Sequence, residues 1–208
     1  NFGIGAAGTV RLIGHALRWM RDGNSMLASP FAEGAGFFRS SPQVARPDLQ
    51  LHFVISVVED HVRKLHAGYG FTCHVCALRP KSRGHVTLGS PDPMADPVID
   101  PNYLSDPRDL DVMIAGAKRT RQILMAPALA RYRHKDLCGI HYSMRDPDWE
   151  HAIRARDHTL YQPVGTCKLG PDATAVVDPA LRVHGLDGLP LVDPTLHPPT
   201  YTGEPKPP

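Results

Sequence analysis

The chain has 208 residues, a formal net charge of +2, and 42% hydrophobic against 21% charged residues, the balance of an ordinary globular domain long enough for a sizeable core. Its 23 Lys and Arg residues are spread along the sequence, so neither a nucleic-acid-binding arm nor a membrane-surface helix is expected. No run of about 18 apolar residues occurs, which argues against a membrane span.

The opening Asn1-Phe2-Gly3-Ile4-Gly5-Ala6-Ala7-Gly8 has no initiator Met and no basic region, and reads as a cut into a longer chain rather than as a signal peptide. Gly3-Ile4-Gly5 has no strand before it, so it is not expected to form the turn of a dinucleotide-binding βαβ unit. Residues 9–21 set Val10, Ile13, Leu17 and Met20 at helical spacing, and Asp22-Gly23 supplies a stop. From Asp48 to Ile55 polar and apolar residues alternate, with Leu49, Leu51, Phe53 and Ile55 on one face, the pattern of a half-buried strand. Gly70–Leu78 and His85–Leu88 are further strand candidates, joined by a basic, hairpin-like connection from Arg79 to Gly84.

Asp106 followed by Pro107 and Asp109 marks a helix start, after which Leu110, Met113, Ile114, Ala117 and Leu124 form one apolar stripe. Asp146-Pro147-Asp148-Trp149-Glu150 marks a second start of the same kind. Short strands are expected again from Val176 to Val192, with a turn at Gly185-Leu186-Asp187-Gly188. These elements give an α+β fold with a mainly antiparallel sheet and flanking helices. Pro199 to Pro208 holds too many prolines for a helix or a central strand.

The four cysteines are Cys73, Cys76, Cys138 and Cys167. Cys73-His74-Val75-Cys76 has redox or half-zinc spacing, but Cys138 and Cys167 stand alone and no second ligand pair exists. In a strand, residues three apart also face opposite ways. The expectation is ordinary thiols in a sheet, no metal, and a reducing, cytoplasmic setting.

Tyr161-Gln162-Pro163-Val164-Gly165-Thr166-Cys167-Lys168-Leu169-Gly170, with the stretch from Val176 to Asp193, resembles the C-terminal signature of the glucose–methanol–choline (GMC) oxidoreductases. Residues 27–37, 47–53, 76–84 and 97–104 resemble the choline-dehydrogenase-like branch in the same order. The resemblance implies a fold, a cofactor and a reaction. Family members pass hydride from an alcohol to the N5 of FAD, while a side-chain base takes the hydroxyl proton. Their N-terminal half binds most of the flavin, and the C-terminal half roofs the substrate pocket. By this resemblance residues 1–160 form the substrate-binding domain and 161–208 a segment that touches the flavin.

Two positions depart from the family pattern. Gln162 stands where the family keeps the His that accepts the proton, and an amide orients a hydroxyl without taking its proton. Lys206 falls at the second catalytic position, usually His or Asn, and a protonated Lys is no ready base. His197 and His158 are alternative bases, against the plainer reading of each as a packing or surface histidine. For the flavin, the resemblance implies Gly165, Thr166, Asp193, Pro194 and Thr195; Pro194 replaces a small residue and removes one backbone donor. The plainer reading of Gly165, Thr166 and Asp193 is a pair of tight turns.

Three functions follow. The first is a fragment of an FAD-dependent alcohol oxidoreductase, taking a small alcohol and inactive without a separate or missing FAD-binding half. The second is a non-catalytic module that keeps the substrate-domain fold for binding or assembly. A thiol redox protein using Cys73 and Cys76 is the third.

Overall fold

The computed structural model describes residues 3–59, 64, 66–139, 144–162 and 164–197. The chain divides into two compact units, Asn1–Cys76 with Val112–Arg156, and Ala77–Asp111 with Asp157–Pro208.

In the first unit a two-residue strand, β1 (Gly3–Ile4), leads into helix α1 (Ala6–Asp22). This strand is the first two residues of the Gly3-Ile4-Gly5 stretch itself. It pairs antiparallel with β4 (Gly68–Tyr69), whereas a dinucleotide-binding unit is built on parallel strands. Gly8 packs so tightly on β1 that a Cβ there would lie 1.9 Å from the Gly3 carbonyl oxygen. The helix ends as expected at Gly23, in the left-handed region (φ 67°), whose N–H donates to the Trp19 carbonyl at 2.8 Å.

The core of this unit is a three-stranded sheet in the order β2 (Gly34–Phe38), β3 (Leu49–Val54), β5 (Thr72–Ala77). Strands β2 and β3 are antiparallel, with Gly36 opposite Leu51. The half-buried pattern expected of β3 fails in its first three residues, where Gln50 is buried as fully as Leu49 and Leu51. As the central strand, β3 has neighbours on both edges, and its polar residue is enclosed with the rest; the Cys76 thiol reaches the Gln50 carbonyl at 3.6 Å. Asp48 closes the loop before β3 by accepting from the Ser40 amide (2.7 Å) and hydroxyl (2.5 Å).

Helix α2 (Pro107–Leu124) begins at the expected cap, since the Arg108 amide donates to the Asp106 carboxylate at 2.9 Å. Two hydrogen bonds from Arg108, side chain then backbone, hold that carboxyl near a pKa of about 2. Its Gly116 has no room for a side chain, because a Cβ would meet the Leu49 and Val75 methyls at 2.8 and 3.0 Å. Helix α3 (Asp146–Arg154) starts one residue earlier than its sequence signal, with Asp146 already helical and the Arg145 amide donating to Asp148 at 2.9 Å. Trp149, Ala152 and Ile153 form its buried face.

In the second unit β6 (His85–Thr87) pairs antiparallel with β7 (Val98–Asp100). The Arg79–Gly84 connection is therefore not a hairpin between β5 and β6. Buried Asp109 holds it instead. That carboxylate accepts from the Lys81 amide (2.7 Å), the Ser82 amide (2.7 Å) and the Ser82 hydroxyl (2.6 Å), while the Asp106 amide donates to Ser82 Oγ at 3.0 Å. The strands expected between Val176 and Val192 shrink to single bridges, Val177 with Leu169 and Val183, and Arg182 with Pro190. Turn hydrogen bonds to the Asp178 carboxylate from the Ala180 and Arg182 amides bend the chain before a longer ladder can form. The fold is α+β with antiparallel pairing, as expected.

Replacing Asp109 by Ala leaves two part-buried amides and a hydroxyl without their acceptor. The expected loss is about 2–4 kcal/mol in urea unfolding, with Asp109→Asn losing less. An unchanged midpoint for Asp109→Ala would show that water replaces the carboxylate freely.

Candidate functional site

Two segments of the second unit, nearly thirty residues apart in sequence, meet at one carbonyl. Thr195 O accepts from the Gly165 amide at 2.9 Å and from the Cys167 amide at 3.2 Å, and Leu196 O accepts from the Leu169 amide at 3.2 Å. Gly165 has φ 85°, a conformation that a side chain resists, and this lets the amides of Gly165 and Cys167, two residues apart, turn toward one acceptor. Thr195 is held in turn by a 3-10 turn, Pro194–Leu196, with Asp193 at its cap. The Asp193 carboxylate accepts from the Thr195 amide at 2.7 Å and from the Thr195 hydroxyl. These bonds, the hydroxyl first, hold the Asp193 carboxyl below its ordinary value. Pro194 opens the turn, where its missing N–H costs no internal bond.

The structure thus brings Gly165, Thr166, Asp193, Pro194 and Thr195 into one neighbourhood. It rests on Leu196 and Val177, both buried, and is braced by the Lys168 ammonium on Asp172 and Thr174, each at 2.9 Å. The carboxyl of Asp172 lies well below the ordinary range, through hydrogen bonds from Thr174 first and Lys168 next.

Gln162 is exposed and directly follows Tyr161, whose φ of 62° is left-handed for a non-glycine residue. The Tyr161 amide donates to the Thr159 hydroxyl at 2.9 Å, and this local bond supports the unusual conformation. No local sequence signal marks Tyr161; an aromatic residue there reads as packing. His158 is half-buried, its ring nitrogen 3.1 Å from the Thr159 carbonyl oxygen. His197 is half-buried at the end of the 3-10 turn, its amide donating to Pro194 O at 3.2 Å. Lys206 lies outside the described residues.

The cysteines are all free thiols. Burial pushes the Cys73 thiol up to about 11, so it is not a ready thiolate. Among the described residues no group of three or more His, Cys, Asp or Glu side chains is placed to hold a metal ion. No described helix is long and apolar enough to cross a membrane.

The GMC oxidoreductase family model for the C-terminal region matches residues 80–208. The chain belongs to the GMC oxidoreductase family. It is 46% identical over 177 residues to an alcohol dehydrogenase [acceptor] of Pseudomonas putida, a match covering 85% of this chain and 32% of that protein. It is 38% identical over 185 residues to an oxygen-dependent choline dehydrogenase of Cronobacter sakazakii, covering 89% and 33%. Among solved structures it resembles pyridoxine 4-oxidase from Mesorbium loti (27% identity, TM-score 0.70, 80% of this chain and 33% of that one). A formate oxidase, at 23% identity, shares the fold with a TM-score of 0.76 over 89% of this chain and 37% of its own. The chain spans about a third of the length of the relatives it matches.

GMC oxidoreductases are FAD-dependent flavoproteins, and the residues present can be tested against part of that cofactor. Gly165, Cys167 and Thr195 spend their amides inside the turn pair. The amides of Thr166 and Asp193, both on exposed residues, have no hydrogen-bond partner among the described residues. Amides left without a partner on exposed turn residues suit the carbonyl edge of a flavin ring, so these residues fit contact with part of FAD.

Gly165→Ala forces a side chain into the left-handed region and is expected to cost about 1–2 kcal/mol in thermal or urea unfolding. It should also speed amide exchange at Cys167. A fully stable variant with an unchanged Cys167 amide would mean that the turn does not depend on Gly165.

Proposed function

We propose that the chain is the substrate-side part of an FAD-dependent oxidoreductase acting on the CH–OH group of a small alcohol, and that it does not turn over without an FAD-binding part. The observation carrying this reading is the pinning of 165–167 to Thr195, which assembles the two segments where the family resemblance sets flavin contact. The names of the Pseudomonas and Cronobacter relatives support an alcohol as substrate class. The chemistry that FAD supplies, when bound, is acceptance of hydride from the alcohol carbon.

This chain's own residues have narrower tasks. Residues 161–208 form the flavin-contacting segment, in which the Thr166 and Asp193 amides bind the cofactor edge. Pro194 and Thr195 fix the turn that presents them. Gln162 binds and orients the alcohol hydroxyl through its amide, and it takes no proton near neutral pH. His197, at the end of the Thr195 turn, is the group to which the hydroxyl proton passes, and the Lys206 ammonium steadies the negative oxygen. Free thiols at Cys73 and Cys76 support a reducing, cytoplasmic setting.

Gln162 also favours a second reading, in which the domain is non-catalytic and serves binding or assembly, because the amide stands where a base is needed. One chimera separates the two. In it, this chain replaces the matched third of the Pseudomonas putida relative. The proposal expects a yellow protein with slow alcohol oxidation, and a gain in kcat of about 100-fold or more in Gln162→His. A chimera that holds FAD yet stays inert in both forms would favour the non-catalytic reading.

A further inference from the structure

Lys and Arg occur along the whole sequence, but their balance with Asp and Glu is uneven. Residues 118–137 hold six Lys and Arg against one acid, Asp136, a net charge of +5 in a chain whose total is +2. Elsewhere 17 Lys and Arg face 20 Asp and Glu, so the rest of the chain is net acidic. The segment comprises the end of α2, the 3-10 turn after it (Pro127–Tyr132) and the residues that follow. Two contacts fold these pieces together. The Arg133 guanidinium reaches the Met125 sulfur at 2.9 Å, and Arg121 pairs with Asp136. That pair occupies the segment's one carboxylate. Lys118 pairs with Asp146 of α3, but among the described residues Arg119, Arg131, Arg133 and Lys135 are in no ion pair. Ile123, Met125, Tyr132 and Leu137 stand among these cations, 40%, 39%, 54% and 46% exposed. The Arg131 guanidinium lies 4.7 Å from the centre of the Tyr132 ring, so cation and aromatic face are presented together.

We propose that this surface rests on an anionic lipid membrane, where acidic headgroups meet the cations and the four apolar side chains enter the boundary between headgroups and acyl chains. Charge complementarity selects an anionic partner, and the exposed apolar groups select its kind. Stable attachment to a bilayer surface takes both signals, buried apolar area and attraction to anionic lipids, and residues 118–137 present both within one short stretch. A nucleic-acid backbone would take up the cations and leave Ile123, Met125 and Leu137 facing water. An acidic protein would need carboxylates and apolar groups at matched points, whereas the headgroup region supplies both wherever the surface lands. The contact is made by a helix end and the turn beyond it, so the periodicity of α2 does not announce it. It lies on the bilayer, since no described helix is long and apolar enough to cross one.

The test is sedimentation of this chain, and of the full-length chimera, with phosphatidylserine-rich and with pure phosphatidylcholine vesicles. Both proteins should bind the first and not the second, and about 0.5 M salt should release them. Arg131→Glu with Lys135→Glu should weaken binding about tenfold or more, and Tyr132→Ser about threefold, with thermal midpoints unchanged. Arg18→Glu with Arg21→Glu, an equal charge change on α1, should leave binding as it was. Loss of binding in that pair and not at 131 and 135 would place the contact on α1 and overturn the proposal. So would a failure to sediment with the acidic vesicles at low salt. Binding by the isolated chain that the chimera lacks would overturn it as well, because the surface would then be covered by the rest of the protein. Retention on poly-aspartate beads without retention on vesicles would assign the surface to an acidic protein instead. A chimera that oxidises no alcohol yet binds acidic vesicles leaves the proposal standing, since it does not rest on the oxidoreductase reading.

Discussion

Two amides donating to the Thr195 carbonyl tie together the parts of this molecule on which a functional reading depends. A carbonyl oxygen has two lone pairs, and here both are used across a long sequence gap, so each segment limits the freedom of the other. The left-handed Gly165 aims the first amide, and Asp193 stiffens the acceptor side by holding Thr195 through amide and hydroxyl. Beyond those donors, the Thr166 and Asp193 amides have no hydrogen-bond partner among the described residues. What the turn pair offers a cofactor is thus set by what its own closure uses up.

The same economy appears elsewhere in the second unit. Asp109 occupies three donors of the Lys81–Ser82 turn, and Asp178 occupies those of the turn around Ala180 and Arg182. Carboxylates do the work that a longer sheet would otherwise do, which is why this unit has bridges instead of strands over Val177 to Pro190. The first unit is organised differently, by apolar packing of Leu49 under Gly116 and of the α3 face.

Much of this was legible in the residues. Helix α1 and its Gly23 stop, the Asp106 cap of α2, and the central strand at Leu49 follow from local rules of spacing and capping. The burial of Gln50 was not legible, because it depends on strand order rather than on β3 itself. Nor was the Asp109 clamp, whose donors are 27 and 28 residues away. The exposure of Val10, Ile13, Leu17 and Met20 reverses the usual meaning of a helical stripe: the periodicity identifies the helix, but not what covers it. Of the site, the resemblance named Gly165, Thr166 and Asp193–Thr195 but not the hydrogen bonds that join them at the Thr195 carbonyl, and the left-handed Tyr161 before Gln162 has no sequence signature.

The central claim is that the Thr166 and Asp193 amides beside the Thr195 junction meet the flavin. Hydrogen–deuterium exchange of the full-length chimera, with and without bound FAD, tests it most directly. The account predicts that FAD slows exchange at the Thr166 and Asp193 amides, while Gly165 and Cys167, already bonded to Thr195, are slow in both forms. Unchanged, rapid exchange at Thr166 and Asp193 in the FAD-loaded protein would contradict it.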